Sequence, residues 1–148
     1  MLNERLSVLC LDRFVTMIMV VMDAARHEAT IVNAGHMAPL WRHCDGSIEE
    51  PGEDIAGLPL GIVGGTTYAQ TTIGLQTGES LTLYTDGINE AMNARNEQFT
   101  IERLRNHLRR AAGNLQTTGE TIIADVRQFL GGAAQSDDMC LVSLARVA

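Results

Sequence analysis

Apolar and polar positions change regime along this chain, from short β-like runs in the first half to helical spacing in the second. Phe14 to Met22 is β-branched and apolar on both faces, interrupted by Thr16, and predicts a strand buried in a sheet sandwich, with Met17, Met19 and Met22 as core filler. A polar turn from Asp23 to Glu28 leads to a second strand, Ala29 to Asn33, and Pro39 to Arg42 forms a third before the hairpin signal Asp45-Gly46. Strands follow at Tyr68 to Ile73 and Ser80 to Tyr84. From there Ile101, Leu104, Leu108 and Ala111 recur at helical spacing behind a Thr100 cap. Thr117-Thr118-Gly119-Glu120 reads as a capping box for a helix running through Ile122, Val126 and Phe129 to a Gly131-Gly132 stop. Met139 to Val147 closes the chain as a strand, and Met1 to Leu11 reads as the end of a helix.

Strands, then two helices, then a strand predict an α+β fold: an antiparallel β-sandwich flanked by α-helices. Residues 46 to 66 have no sustained period and are rich in glycine, proline and acid, as in a long ordered loop or a flap. No repeat or interdomain linker breaks the pattern. A chain of 148 residues fits a single domain, here residues 1–148.

Charge narrows the function classes. The net charge is -7, and all eleven basic residues are arginine. That balance speaks against nucleic acid, whose phosphates call for a basic face. The cluster Arg103, Arg105, Arg109 and Arg110 reads as the solvated face of a helix, with a docking face for an acidic or phosphorylated partner as the alternative. Cys10, Cys44 and Cys140 are odd in number and widely spaced, without a C-x-x-C pair, which fits a reducing compartment. No apolar run approaches the ~20 residues of a membrane span, and Asn3, Glu4 and Arg5 stand where a secretory apolar region would begin. A cytoplasmic protein is expected.

Two acidic turns are the candidate chemistry. Leu81-Thr-Leu-Tyr-Thr-Asp-Gly87 and Ser136-Asp-Asp-Met-Cys-Leu-Val142 each set a carboxylate beside an apolar strand, a place suited to a hard cation held by oxygen. Gly87 permits a sharp turn after Asp86. Each pattern alone also serves as an ordinary turn or strand cap. His27, His43 and His107 have no partners at ligand spacing and read as surface residues.

Taken in order, five segments carry a resemblance: Phe14-Val15-Thr16; Asn33-Ala34-Gly35-His36 with Pro39-Leu40; Gly57-Leu58-Pro59-Leu60-Gly61; Leu83-Tyr84-Thr85-Asp86-Gly87-Ile88 with Glu90-Ala91; and Asp137-Asp138-Met139. The chain resembles the SpoIIE-like branch of the metal-dependent protein phosphatases (PPM family), bacterial serine/threonine phosphatases. The resemblance implies that Asp86 and Asp137 bind manganese or magnesium, two ions per complete site, and that a hydroxide bridging them attacks phosphoserine or phosphothreonine in line. Asp138 becomes a neighbouring or turn-forming residue. Cys140 replaces the usual hydroxyl residue there and either removes a hydrogen bond behind the metal ligands or, the favoured expectation, packs as a small buried group. His36 falls where the wider family often has an aspartate near an accessory metal, so it either contacts phosphate or water, or satisfies backbone groups in a strand-end turn.

Family members carry two further metal aspartates, in a Gly-Asp and a Gly-Asp-x-x-Gly-His-Gly-like segment, and Asp12 and Asp23 do not match either context. The chain therefore reads as the C-terminal portion of the phosphatase domain, lacking the first strands, with weak metal binding and poor turnover by itself. An exposed sheet edge would favour a homodimer. The implied partner is a phosphorylated anti-sigma-factor antagonist. The alternative is a catalytically degenerate binding or dimerisation module, and a third reading is an α+β scaffold whose acidic turns only cap strands.

Overall fold

In the computed structural model, residues 2–9, 13–111 and 114–147 are described; Cys10 and Asp12 lie outside the described residues. The elements are α1 (Leu2–Leu9), β1 (Met17–Asp23), β2 (Glu28–Ala34), β3 (Leu40–Arg42), β4 (Ile48–Glu49), β5 (Gln70–Gly74), β6 (Ser80–Tyr84), α2 (Asp86–Asn89), α3 (Ile101–Arg109), α4 (Leu115–Leu130) and β7 (Leu141–Ala145). This is an α+β fold with two antiparallel sheets. The chain divides into two compact units, Met1–Ala38 with Glu50–Leu75 and Pro39–Glu49 with Gln76–Ala148.

In the first unit the sheet order is β1-β2-β5. β1 and β2 pair from Met17↔Ala34 to Asp23↔Glu28, closed by a turn in which the Asp23 carboxylate accepts the Ala25 and Arg26 amides at 3.0 and 3.1 Å. The central strand buries Ala29, Ile31 and Asn33, as its alternation demands. β1 departs from expectation. It is an edge strand, so Met19, Val21 and Met22 are exposed rather than core filler. Apolar residues on both faces describe what a strand can bury, and edge position decides what it does bury.

The glycine-rich segment is an ordered loop tied at several points. Gly57 bridges Ala34, Leu60 bridges Val15, and the Asn3 side chain donates to the Val63 carbonyl and accepts the Gly61 amide. Single bridges and a two-residue β4 leave no periodic trace in sequence.

In the second unit the order is β4-β3-β6-β7, with β6 paired on both sides and Leu81 and Thr82 fully buried. The Asp45-Gly46 turn joins β3 and β4, as its chemistry predicts. Leu104 and Leu108 of α3 and Ile122, Val126 and Leu130 of α4 supply the buried helix stripes, and α4 packs on β7. Phe99 meets Phe129 edge to face at 5.6 Å.

Several local readings change. α4 begins at Leu115, because the Asn114 side chain caps it by accepting the Thr117 amide at 3.1 Å; Thr117 lies inside the first turn. Thr100 precedes α3 without a side-chain cap bond. Gly131 ends α4 in the left-handed conformation at φ 57°. The α3 arginines have intrachain roles: Arg103 stacks over Phe129 at 4.5 Å, and Arg105 and Arg109 pair with Glu102. His43 and His107 have partners after all: Glu79, remote in sequence, and the nearer Glu49 for His43, and Asp125 at 2.8 Å for His107.

Candidate metal centre

β6 and β7 deliver the two acidic turns to one place. Their ladder ends at Tyr84↔Leu141 and is then prolonged by side-chain chemistry. The Thr85 amide donates to the Cys140 carbonyl at 3.1 Å, the Cys140 amide donates to the Thr85 hydroxyl at 2.9 Å, and that hydroxyl donates to the Asp138 carbonyl at 2.7 Å. One threonine thus clasps the C-terminal turn to the end of β6.

Gly87 makes the approach possible. A Cβ there would stand 2.5 Å from the Asp138 carbonyl oxygen and 3.1 Å from the Asp137 carbonyl carbon, so any side chain would push the two turns apart. The requirement for glycine is steric rather than dihedral, since Gly87 lies inside the single helical turn α2 and not in the open turn that Asp-Gly suggests. Asp137 accepts the Asp138 amide on one carboxylate oxygen at 2.7 Å, and the Asp86 carboxylate has no hydrogen bond among the described residues.

Asp86, Gly87 and Asp137 line a cavity of about 300 Å³ that Glu90, Gln98 and Ser136 also border. Asp138 contributes its backbone to the clasp and is the turn-forming member. Cys140 is exposed, which corrects the expected buried packing; its part is the amide bond to Thr85. His36 belongs to the first unit. There Asn33, 1% exposed, accepts the His36 amide at 2.8 Å and donates to its carbonyl at 3.0 Å, and His36 Nδ1 lies 3.2 Å from the Met37 carbonyl. Gly35, at φ 70°, lets this turn close on Pro59.

The donor type at Asp86 and Asp137 fits a hard divalent cation, which takes one or two protein carboxylates and fills its remaining positions with water or phosphate oxygen. The donor number is small: among the described residues no three His, Cys, Asp or Glu side chains converge as a metal site. The sequence did not single out Thr85 as the clasp or Gln98 as a wall residue. Thr85 stands within the recognised motif, but its role needs Cys140 opposite; Gln98 arrives through a bridge to Met92 that carries no periodic signal.

The sequence model of stage II sporulation protein E (SpoIIE) matches residues 1–147. The chain belongs to the SpoIIE family. It shares the fold of SpoIIE/PP2C-type phosphatase domains. Over 97% of its length the chain superposes on the SiaA-PP2C domain of Pseudomonas aeruginosa, with a TM-score of 0.80 and 21% identity, covering 56% of that chain. The phosphatase domain of the cell fate determinant SpoIIE from Bacillus subtilis, presoaked with manganese, matches over 89% with a TM-score of 0.66 and 16% identity, again covering 56% of that chain. The RsbU and RsbW domains of Rv1364c from Mycobacterium tuberculosis match over 90%, with a TM-score of 0.65 and 26% identity, covering 36% of that chain. This SpoIIE-family chain therefore spans about half or less of the length of these solved structures. Among curated proteins no match to it was found. Among the described residues, no helix is long and apolar enough to cross a membrane.

Proposed function

We propose that this SpoIIE-family chain contributes the Asp86 and Asp137 side of a metal-dependent serine/threonine phosphatase centre. The observation that carries the reading is the Thr85 clasp with the glycine-only approach at Gly87, which brings Asp86 and Asp137 to one cavity while leaving the Asp86 carboxylate without a hydrogen bond among the described residues. Asp86 and Asp137 would hold manganese or magnesium. When bound, such ions activate water and neutralise the phosphoryl oxygens. The protein's own part is positioning: Thr85 fixes the turns, and Ser136 and Gln98 offer hydrogen-bond donors at the cavity wall for a phosphorylated side chain.

Residues 1–148 act in this reading as a single domain in the cytoplasm, on a phosphorylated protein of the anti-sigma-factor antagonist type. Likeness to the RsbU and RsbW domains of Rv1364c supports that substrate class. The exposed apolar edge of β1 supports a homodimer.

The test is manganese-dependent release of phosphate from a phosphoserine protein by the full-length protein. Asp86→Asn and Asp137→Asn should each lower turnover by about a hundredfold or more, the scale lost when a group stabilising transition-state charge is removed. Undiminished turnover in both variants would sink the assignment. A second reading, a binding module without turnover, draws on the small number of converging donors. Tight binding of the phosphorylated partner by full-length protein that releases no phosphate would decide for it.

A further inference from the structure

At the opposite end of the same sheet, strand pairing gathers positive charge. Arg42 pairs with Ser80 across β3 and β6, and Ser80 pairs with Ala145 across β6 and β7, so Arg42 and Arg146 stand at the end away from Asp86. There the strand ends and the first turn of α4 enclose a cavity of about 220 Å³. Among the described residues its walls include both arginines and no Asp or Glu, in a chain that carries 18 acidic residues.

Arg42 is the decisive residue. Its Nε is buried without a hydrogen-bond partner, and its guanidinium forms no ion pair among the described residues. Arg105 and Arg109, by contrast, share Glu102. Glu79, the acid just before β6, is occupied by Trp41, His43 and the Gln76 amide. A buried donor without an acceptor is costly to the fold, and a planar guanidinium is the protein group best matched to a carboxylate or phosphate. Beside it the wall turns apolar at Ala111, Leu115 and Val147.

We propose that this cavity binds a small organic oxyanion, its carboxylate or phosphate head on Arg42 and Arg146 and its apolar body against Leu115 and Val147. The inference is independent of the phosphatase reading, because it concerns the end of the sheet away from Asp86 and Asp137.

Titration of the protein in EDTA with phenyl phosphate, benzoate and inorganic phosphate tests it by calorimetry and by amide shifts at Gly78 and Leu115. Phenyl phosphate or benzoate should bind saturably, and the tighter of the two identifies the head group. Arg42→Gln should weaken binding at least tenfold, whereas Asp86→Asn should leave it unchanged. Ala111→Leu narrows the cavity without touching charge and should also weaken binding, which keeps the test open if Arg42→Gln does not fold. The proposal fails if neither organic anion saturates at millimolar concentration, if binding survives both cavity variants, if it is lost in Asp86→Asn, or if inorganic phosphate binds as tightly as phenyl phosphate.

Discussion

The two ends of the β3-β6-β7 sheet handle charge in the same way with opposite signs. At the Asp86 end, backbone amides, carbonyls and one threonine hydroxyl satisfy each other, and a carboxylate is left over. At the Arg42 end, Gly78 and Glu79 exchange backbone bonds with Arg146, and the Nε of Arg42 is left over among the described residues. In neither place does the leftover charge hold the strands together. Charges that the fold does not use for itself, set at cavities, are free to serve a ligand. The ends differ in assembly: the acidic end comes from two short contiguous segments, the basic end from segments spread between residues 42 and 147.

The largest effect on this contrast should come from Gly87→Val. The clash is with backbone rather than with a flexible side-chain tip, so the 137–138 turn must move. A cost of about 3 kcal/mol is expected, the upper range for overpacking, with manganese affinity of the full-length protein falling in parallel. Chemical denaturation and metal titration measure both. Anion binding at the Arg42 end should persist in the folded fraction; if it falls together with metal affinity, the two ends are not separate sites.

That difference in assembly also explains what sequence could reveal. Leu81 to Gly87 and Ser136 to Val142 are local motifs whose apolar residues fix the strands and whose acids follow directly, so Asp86 and Asp137 were legible. β6 was legible to the residue, because Ser80 to Tyr84 is bounded by turn chemistry on both sides. The Arg42 cavity was not, since no local pattern announces that Arg42, Leu115 and Arg146 will meet. Nor was the edge position of β1, because composition reports apolarity and pairing order sets exposure. The Thr117-Glu120 motif hides the Asn114 cap three residues before it, since either can begin the same apolar stripe. His43 and His107 were misjudged for a related reason: their carboxylate partners lie 36 and 18 residues away.

Glu79→Gln gives an intermediate effect and tests whether the basic end owes its lack of acid to this residue's engagement. Burial pushes the Glu79 carboxyl up, but the Gln76 amide, His43 and Trp41 donors outweigh burial and hold it below the usual range. With the folded value depressed, its stabilisation is fully present above the ordinary glutamate value, about 4.3, and is lost as pH falls through the lower folded value. The variant should lose about 2 kcal/mol near neutrality, the scale of hydrogen bonds to a charged group. The gap from the parent should close below about pH 4, and a gap independent of pH would show that Glu79 acts by shape rather than charge.

The smallest effect, and the finest test of independence, is Asn114→Ala. Asn114 caps α4 through its bond to the Thr117 amide and also borders the Arg42 cavity, but touches nothing at the Asp86 end. Loss of the cap should cost about 1 kcal/mol, a fall in melting temperature of about 2–4 °C for a chain of this size. Asn114→Ser restores a capping oxygen and should recover most of it. If the cap matters only for α4, Asn114→Ala should leave manganese affinity unchanged. An equal loss of metal affinity would mean that α4, which packs on β7, transmits strain along that strand to Asp137, and the sheet would then have to be treated as one coupled unit rather than two independently poised ends.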